Sequence, residues 1–329
     1  MDLIYTDVSY KELGYLKRCE IDMELGSFIK SSSNNTFQMT TSIDDLPPEI
    51  EKGCLIYEIG TEIGGIVNGI GADTSTNKAY IYGITWRGML QRKYIEPPEG
   101  QAYFLARGDA NKVIRDLIDD QYNELIVGSK NDSGILVNKD FRYSQIASSI
   151  EEMLALVNSR INIKAVRIDG NVKIIVSAET IKNLSDDIEL NNDYGISLIA
   201  KKIKNGVNHV ICLGKGELVD RTVIHLFKLP NGTITTDSKG AIKGIDEHTI
   251  IYDYSSVESD EELIEGGKKK FNEFLDEESL EMKINKDVDI GDIIAARERI
   301  TGIYMQKQVS QKIIKGFIDS VKVEYKVGE

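Results

Sequence analysis

The first hundred residues alternate between apolar and polar positions with the period of two that is typical of β-strands. Turn-forming segments separate five such runs between residues 16 and 82, namely RCEIDMELGSFI, NTFQMTT, GCLIYEIG, EIGGIVNGIGAD and KAYIYGITW. So short a stretch leaves no room for helical crossovers between the strands. We therefore predict a meander or small β-barrel over residues 1–100.

The hydrophobic period changes in the next part of the chain. After Asp109 the apolar residues fall on one helical face, and a second helix is predicted near Ser148, which has capping-box spacing with Glu151. The run INIKAVRIDGNVKIIVSA then predicts a β-hairpin that turns at Asp169-Gly170. Residues 101–180 are thus predicted to form a small helical α/β unit.

Strand-like runs return in the last third of the chain, where they read HVICLG, RTVIHLFKL, TIIYDY, LEMKIN, GDIIAAR, ITGIYMQK, KIIKGFI and SVKVEYKV. One helix interrupts them near residues 258–275 and begins with a capping box of Ser259 and Glu262. The pair Gly266-Gly267 in its interior indicates either close backbone packing or a break of the helix in two. We predict that residues 181–329 form a second β-barrel with this helix inserted.

An internal similarity relates KGCLIYEIGTEIGGIV to IGDIIAARERITGIYM. Gly53 then matches Gly291, and Gly64 matches Gly302, so the glycines are eleven residues apart in both copies. Two glycines in a β-rich chain can match by chance, and these residues alone leave chance and true repetition open.

True repetition predicts the same strand order in residues 53–86 and 291–327, within two separate barrels of one chain. A different connectivity, or a single continuous sheet containing both segments, would remove the duplication and the symmetry argument that rests on it.

The composition limits the kind of partner. A formal net charge of −13 and a pI near 4.9 oppose a surface built to neutralise phosphates, so nucleic acid is expected only as passing cargo. The three cysteines are far apart and without CxxC spacing, which is typical of a reducing compartment. No apolar run approaches the roughly 20 residues of a membrane span, and we expect no membrane association.

Few residues suggest catalytic or metal chemistry. The three histidines, His209, His225 and His248, lie in or beside strand-like runs without HxH or HExxH spacing, and no GxSxG turn marks a nucleophile. His209 and His225 could meet across neighbouring strands, although separate strand histidines are the favoured interpretation. Gly214 and Gly216 in CLGKGELVDRT lack phosphate-loop spacing and predict a turn or bulge. We assign no catalytic, cofactor-binding or metal-binding residue and no cofactor.

Several strings resemble one known family. EIGTEIGGIVNGIGAD followed by IYGITWRGMLQRKYIEPP resembles the N-terminal part of siphovirus-type, Gp37-like tail hub proteins, which are related to the central baseplate hub of contractile phages and tailocins. VICLGKGELVDRTVIHLF and DVDIGDIIAARERITGIYMQKQVSQKI, followed by VEYKVGE, are similar to the later blocks of that family. The blocks occur in the family's order from about Cys19 to Glu329.

The resemblance implies a mainly β fold with an α+β insertion, consisting of two similar β-barrel tube-type domains and a small α/β unit. It implies a nonenzymatic structural hub of a phage or prophage tail, a homotrimer with pseudo-sixfold symmetry that connects the tail tube to the baseplate or tip. The expected partners are tail tube and baseplate or tail-tip proteins. The expected location is the virion tail or tailocin particle, after synthesis in the host cytoplasm.

Structural or interface roles are predicted for a small set of residues. Trp86, the only tryptophan, is either an interface anchor together with Arg87 and Gly88 or a plug of the barrel end. The complete set is Gly53, Gly64, Trp86, Arg87, Gly88, Gly214, Gly216, Gly291 and Gly302. The alternative function is a carbohydrate-acting enzyme or a carbohydrate-binding β-rich module, for which one tryptophan is a poor supply of sugar-stacking side chains.

Overall fold

The computed structural model describes residues 1–185, 189–190, 197–203, 206–274, 277–283, 288–297 and 304–327. Packing divides the chain into a larger unit of residues 1–198 and 281–329 and a smaller unit of residues 199–280. The smaller unit is therefore an insertion within the segment that was predicted to form the second barrel.

The N-terminal region contains the five predicted strands and three elements that were not predicted. Its elements are β1 (Ile4–Thr6), β2 (Glu12–Tyr15), β3 (Glu20–Gly26), β4 (Thr36–Ser42), β5 (Leu55–Tyr57), β6 (Gly64–Asp73), β7 (Lys78–Thr85) and α1 (Trp86–Leu90). Alternate residues of β3, β4 and β7 are buried on one face, as the period of two requires. Ile21, Met23 and Met39 are completely buried in this core.

The next region is the predicted small α/β unit. It contains β8 (Phe104–Asp109), α2 (Ala110–Ile118), β9 (Ile126–Gly128), β10 (Leu136–Phe141), α3 (Ile146–Ala155), β11 (Ser159–Ile168) and β12 (Asn171–Thr180). Asp109 caps α2 by accepting hydrogen bonds from two backbone N–H groups. The hairpin β11–β12 turns at Asp169-Gly170, as predicted, and β9 pairs with β12 in parallel.

The helix predicted near Ser148 is present as α3 (Ile146–Ala155), but the predicted capping box of Ser148 and Glu151 was wrong. The helix begins after Gln145, and the hydroxyl of Ser148 donates to the carbonyl of Gln145 within the first turn. Ser148 therefore does not cap the helix, because its side chain bonds backwards to the backbone.

The rest of the chain contains β13 (Glu189–Leu190), β14 (Ser197–Ile203), β15 (His209–Leu213), β16 (Val223–Lys228), β17 (Ile234–Thr235), β18 (Thr249–Asp253), α4 (Asp260–Glu273), β19 (Glu277–Lys283), β20 (Ile293–Arg297), β21 (Tyr304–Phe317) and β22 (Lys322–Val327). In the larger unit, strands pair in the order β22-β21-β3-β4-β7-β6-β5-β1-β2, with β20 on β21. Met282 of β19 pairs with Tyr325 of β22.

The expectation of two separate barrels was wrong. Both predicted repeat segments lie in one open sheet, because the hairpin β3–β4 hydrogen-bonds β21 on one side and β7 on the other. No closed barrel occurs in the described part of the chain.

The smaller unit has a sheet of order β17-β16-β15-β18 with α4 packed on one face. Ser259 accepts a hydrogen bond from the Glu262 N–H, as the capping box predicted. α4 is continuous through the glycine pair. A Cβ on Gly266 would lie 2.4 Å from the Tyr252 hydroxyl oxygen, and one on Gly267 would lie 2.4 Å from Cys212 Sγ, so the pair permits close packing.

Among the residues that the structure describes, no helix is both long enough and apolar enough to cross a membrane.

Candidate assembly interface

Two three-stranded meanders in the larger unit have the same connectivity. The first meander, residues 53–85, runs β5-β6-β7, and the second meander, residues 291–327, runs β20-β21-β22, with antiparallel neighbours throughout. The two segments share the predicted strand order, but they lie in one continuous sheet and not in two barrels, which is the outcome stated above to remove the duplication.

Both meanders begin with the same backbone arrangement. The Gly53 N–H donates to the Val67 carbonyl at 2.9 Å, and the Gly291 N–H donates to the Val309 carbonyl at 2.8 Å. The two glycines have φ values of +105° and +100°, which side-chain-bearing residues adopt only with strain. The recurrence of glycine at these two positions thus has a conformational cause.

A β-bulge follows the valine in each copy. The β6–β7 register shifts between Val67 and Gly69, and the β21–β22 register shifts between Val309 and Gln311. A bulge at an equivalent point is a specific feature of a strand pair. The bulges match Val67 to Val309, whereas the ungapped alignment of the glycines matches Val67 to Met305, so the second copy has four more residues between its first glycine and its bulge.

The second glycine pair can be compared only in part. A Cβ on Gly64 would lie 2.5 Å from the Ile56 carbonyl oxygen, so the β5–β6 contact requires glycine there. Gly302, its counterpart in the alignment, lies outside the described residues. By strand register the counterpart of Gly64 is Gln306, because Gly64 pairs with Tyr57 and Gln306 pairs with Ala295, so the predicted match of Gly64 to Gly302 was wrong.

One edge of β21 is covered along its length. β20 pairs with the edge up to Val309, and β3 pairs with the rest from Gln311 to Phe317. Because β22 pairs with the opposite edge at Val309 and from Gln311 to Lys315, β20 and β3 must share one edge.

The equivalent edge of β6 is covered over only half its length. This edge of β6 is hydrogen-bonded by β5 and by the adjoining Gly53 and Cys54 as far as Val67. Beyond that point, within the described chain, residues 69–73 pair only with β7. The first meander thus lacks the strand that β3 supplies to the second, and we call residues 69–73 the open edge.

The open edge has little protection against pairing. Residues 69–72 read Gly-Ile-Gly-Ala, and Ile70 is 42% exposed, whereas Asp73 places one charge at the end of the edge and a bulge lies at its start. Natural sheets guard free edges with charges, proline, bulges or covering segments. The four residues between the bulge and Asp73 carry no charge and no proline, so this part of the edge is available for pairing with another chain.

The sheet face beside the open edge is polar. A depression of about 360 Å³ there is lined by residues that include Asp22, Glu24, Gln38, Asn68 and Tyr82. The Lys315 ammonium lies 3.2 Å from Asp22 Oδ2. This face is consequently suited to water and to a passing polyanion rather than to tight anion binding.

Trp86 lies in the core and not on the surface. It is 1% exposed and belongs to the cluster that contains Tyr57, Leu90 and Ile95. Burial favours the structural alternative over the interface anchor. A buried tryptophan cannot stack on a sugar ring, so the burial of Trp86, the only tryptophan, also weakens the carbohydrate alternative.

Arg87 and Gly88 are buried with Trp86. Arg87 Nε lies 3.0 Å from Glu62 Oε2, and its guanidinium lies over the Phe28 ring at 5.6 Å. A Cβ on Gly88 would lie 2.4 Å from the Asn35 carbonyl oxygen. Both residues therefore hold α1 against the sheet.

Gly214 and Gly216 lie between β15 and β16, as the predicted turn requires. The Gly214 N–H donates to the Thr222 carbonyl at 2.8 Å, which extends the ladder of the two strands. A Cβ on Gly216 would lie 2.3 Å from the Asp220 carbonyl oxygen. They belong to the smaller unit and not to the open edge.

The sequence interpretation missed two ionic tethers from β11. At its start, Arg160 Nε lies 3.0 Å from Asp292 Oδ1, and its Nη2 lies 2.7 Å from Asp289 Oδ2 and 3.1 Å from Glu179 Oε2. The side chains of Arg160 and Asp292 are 4% and 2% exposed. An arginine inside the apolar run SRINIKAV was the only sequence signal of this buried tether.

The second tether, at the other end of β11, is partly exposed. Arg167 donates to both carboxylate oxygens of Glu12 at 2.7 and 2.6 Å, and the Tyr57 hydroxyl donates to Glu12 at 2.8 Å. The hydrogen bonds from Arg167, more than that from Tyr57, hold the pKa of Glu12 below its ordinary value. β11 is therefore tied to Asp292 of the second meander by a buried ion pair and to β2 by a partly exposed one, whose carboxylate also accepts a hydrogen bond from Tyr57 of the first meander.

Two further predictions concern reactive side chains. The structure brings His209 and His225 together, which was the less favoured alternative. Within the described residues, no group of three or more His, Cys, Asp or Glu side chains is placed to hold a metal ion. Burial raises the pKa of the Cys19 thiol to about 12 and that of Cys212 to about 11, so both stay protonated at neutral pH.

No protein-family model matches the chain, and no curated protein matches it. Several solved structures are similar to it. The prophage tail protein gp18 from Listeria monocytogenes EGD-e is 11% identical with a TM-score of 0.46, over 99% of this chain and 94% of that one. The tail protein from Neisseria meningitidis MC58 is 12% identical with a TM-score of 0.46, over 100% and 96% of the two chains.

A chain of the phage P2 baseplate in its activated conformation is 11% identical with a TM-score of 0.48, over 98% of both chains. These structural neighbours are phage tail and baseplate proteins, the class that the sequence resembles. At these identities and TM-scores, the likeness alone assigns no function and no partner to this chain.

Proposed function

We propose that this protein is a structural hub of a phage or prophage-derived tail, which assembles as a pseudo-sixfold homotrimer and connects the tail tube to the baseplate or tip. The proposal joins the sequence resemblance to the geometry of the two meanders. The single observation that carries it is the open edge of β6, at the place where the second meander has a strand.

The internal repeat indicates what would cover that edge. On β21 the equivalent edge is covered by an antiparallel strand that belongs to the same sheet. An antiparallel strand from a neighbouring copy would satisfy the unpaired backbone groups of residues 69–73 in the same way. Each copy would then extend the sheet of the next.

In a closed ring of copies, the open edge of every copy is paired with a strand of its neighbour, and no edge remains unpaired. A contact between different surfaces of identical chains generates a ring when its rotation closes. Three chains with two meanders each would present six similar units, which matches a sixfold tube ring better than three would. Because the two meanders share one sheet, they are not the separate barrels that were expected to match a sixfold ring, and the pseudo-sixfold symmetry is supported by the family resemblance.

The surface charge suits this role. The exposed sheet face carries carboxylates and amides beside the open edge, and the chain has a net charge of −13. A ring that turned this face inward would repel DNA weakly and so would let it pass. DNA is cargo in this proposal and not a ligand.

The proposed role is nonenzymatic. It is supported by the burial of Trp86 and by the use of Arg87, Arg160 and their carboxylate partners in structural ion pairs. We expect no turnover of peptidoglycan or model glycosides by the purified protein. Reproducible hydrolysis that disappears on replacing one carboxylate would contradict this part of the proposal.

The function is tested in the bacterium that carries the gene. Tails are induced in a deletion strain complemented with the wild type, with Ile70→Lys in the open edge, or with Ile168→Lys as a control, since Ile168 is also 42% exposed. Electron microscopy should show complete tails with the wild type and with Ile168→Lys, and none with the deletion or with Ile70→Lys.

Complete tails in the deletion strain would overturn the hub function. Complete tails with Ile70→Lys would leave the hub function standing and overturn the open edge as its contact surface.

A further inference from the structure

Two of the three histidines of the chain meet on the sheet of the smaller unit. His209 lies on β15 and His225 on the adjacent β16, and His209 Nε2 is 2.8 Å from His225 Nδ1. They are sixteen residues apart in the sequence, so no spacing motif reveals them. The proposed hub function makes no use of this pair.

A carboxylate and a hydroxyl orient the first imidazole. His209 Nδ1 lies 2.8 Å from Glu247 Oε1 and 3.0 Å from Thr249 Oγ1. A carboxylate accepts and does not donate, so Nδ1 carries the proton and donates it to Glu247. The lone pair of His209 therefore lies on Nε2, which points at His225.

Packing fixes the ring that the carboxylate orients. The His209 side chain is 10% exposed and stacks on the Phe227 ring at a centroid distance of 4.5 Å. His225 is exposed, and its ring stacks on His209 at 5.1 Å. One ligand is thus held rigidly, and the other can adjust from the solvent side.

We propose that His209 Nε2 and His225 Nδ1 bind one divalent transition-metal ion of the zinc class. Imidazole nitrogens are preferred ligands of such ions, and a carboxylate behind the ligating histidine is the usual arrangement around protein-bound zinc. Binding moves the proton of His225 from Nδ1 to Nε2 and changes neither imidazole's charge. The affinity of the site should rise from cobalt through nickel to copper, and zinc should bind less tightly than copper.

The distance between the two nitrogens suits a shared ion after an adjustment of His225. Zinc–nitrogen bonds of about 2.0–2.1 Å at a tetrahedral angle place the two nitrogens about 3.3 Å apart. The separation of 2.8 Å has to widen by about half an ångström, and because the fixed His209 lone pair points at His225 Nδ1, that atom has to move sideways by about 2 Å to make room for the ion. The exposed His225 ring can rotate by this amount. The remaining coordination positions face the solvent side of His225 and would hold water or a ligand from a partner.

The test uses the full-length protein without a histidine tag, freed of metal by a chelator. Zinc chloride is titrated in by calorimetry, and cobalt chloride by visible absorption, against the wild type and three variants. The wild type should bind one ion per chain and unfold at a higher temperature with zinc than without it.

The variants separate the site from chance surface binding. His225→Gln removes an exposed ligand at no expected cost in folding and should abolish the binding. Glu247→Gln keeps both ligands and should weaken the affinity about 10–100-fold. His248→Gln, the third histidine, is the matched control and should leave the affinity unchanged.

The proposal would be overturned if the wild type bound no zinc at 100-fold excess over the protein, or if His225→Gln bound it as tightly as the wild type. An equal loss with His248→Gln would overturn the assignment of the ligand pair.

Discussion

The two meanders have the same backbone plan and different surroundings. The second is completed within the chain, because β3 covers β21 and a buried ion pair fixes the turn at Asp292. In the first, no described strand covers the second half of this edge of β6, and the buried Cys54 lies where the second has Asp292. The edge of one copy is covered by its own chain, and we propose that the edge of the other is covered by a neighbouring chain.

This difference in surroundings explains why the two meanders are similar in backbone conformation and hardly similar in their side chains. Glycine at a positive φ and a bulge after valine are conditions on the backbone, so both copies keep them. The side chains around these positions contact different neighbours in the two copies and therefore differ in sequence.

The largest effect should come from breaking the buried tether of the second meander. Arg160→Met leaves the carboxylate of Asp292 buried without its arginine, which should cost about 3–5 kcal/mol in the free energy of unfolding. The double variant Arg160→Met/Asp292→Asn removes the orphaned charge and should recover at least about 1 kcal/mol. Urea denaturation measures both, and additive losses would show that the two residues are not coupled.

A smaller effect should distinguish the two starting glycines. Alanine at either position is strained by the positive φ, at about 1–3 kcal/mol. A Cβ on Gly53 meets only a Val8 methyl group at 3.6 Å, whereas one on Gly291 lies 2.9 Å from the Cβ of Arg160. Gly291→Ala should therefore lower the thermal midpoint more than Gly53→Ala, and the reverse order would contradict the packing described at Arg160.

The smallest effect should come from the partly exposed ion pair of Arg167 with Glu12 on β2, the carboxylate that also binds Tyr57 of the first meander. Arg167 and Glu12 are 46% and 32% exposed, so Arg167→Met should cost at most about 1 kcal/mol. Because the folded pKa of Glu12 is lowered from 4.5, its contribution to stability is present above that value and is lost as the pH falls through the folded pKa.

Stability measured from pH 7 down to pH 3 in the wild type and in Glu12→Gln checks this dependence. The difference between the two should shrink toward the acid end of the range. A difference that grows on acidification would mean that Arg167 does not stabilise the ionised carboxylate.

Local signals predicted most of the fold. The period of two predicted β3 to β7, the helical spacing of apolar residues after Asp109 predicted α2, and the capping box of Ser259 and Glu262 predicted the start of α4. Ser148 misled the prediction because a serine within the first helical turn can bond backwards instead of capping. The separate barrels failed because the pairing of β3 with β21 joins residues almost three hundred positions apart, which no local pattern encodes.

The candidate site was predicted less well than the fold. The sequence located the glycines of both copies, but an open edge is defined by the pairing that β6 lacks and β21 has. Likewise, Arg160 and Asp292 meet only in the folded chain. Trp86 and Arg87 were named from interface statistics, whereas their burial depends on the packing of α1.

The most direct test of the account is a cryo-electron-microscopy map of the tail end in particles that contain this protein. We predict three copies in a ring, with residues 69–73 of each copy paired antiparallel to a strand of the next. A ring in which residues 69–73 face solvent, or one with a copy number other than three, would contradict it.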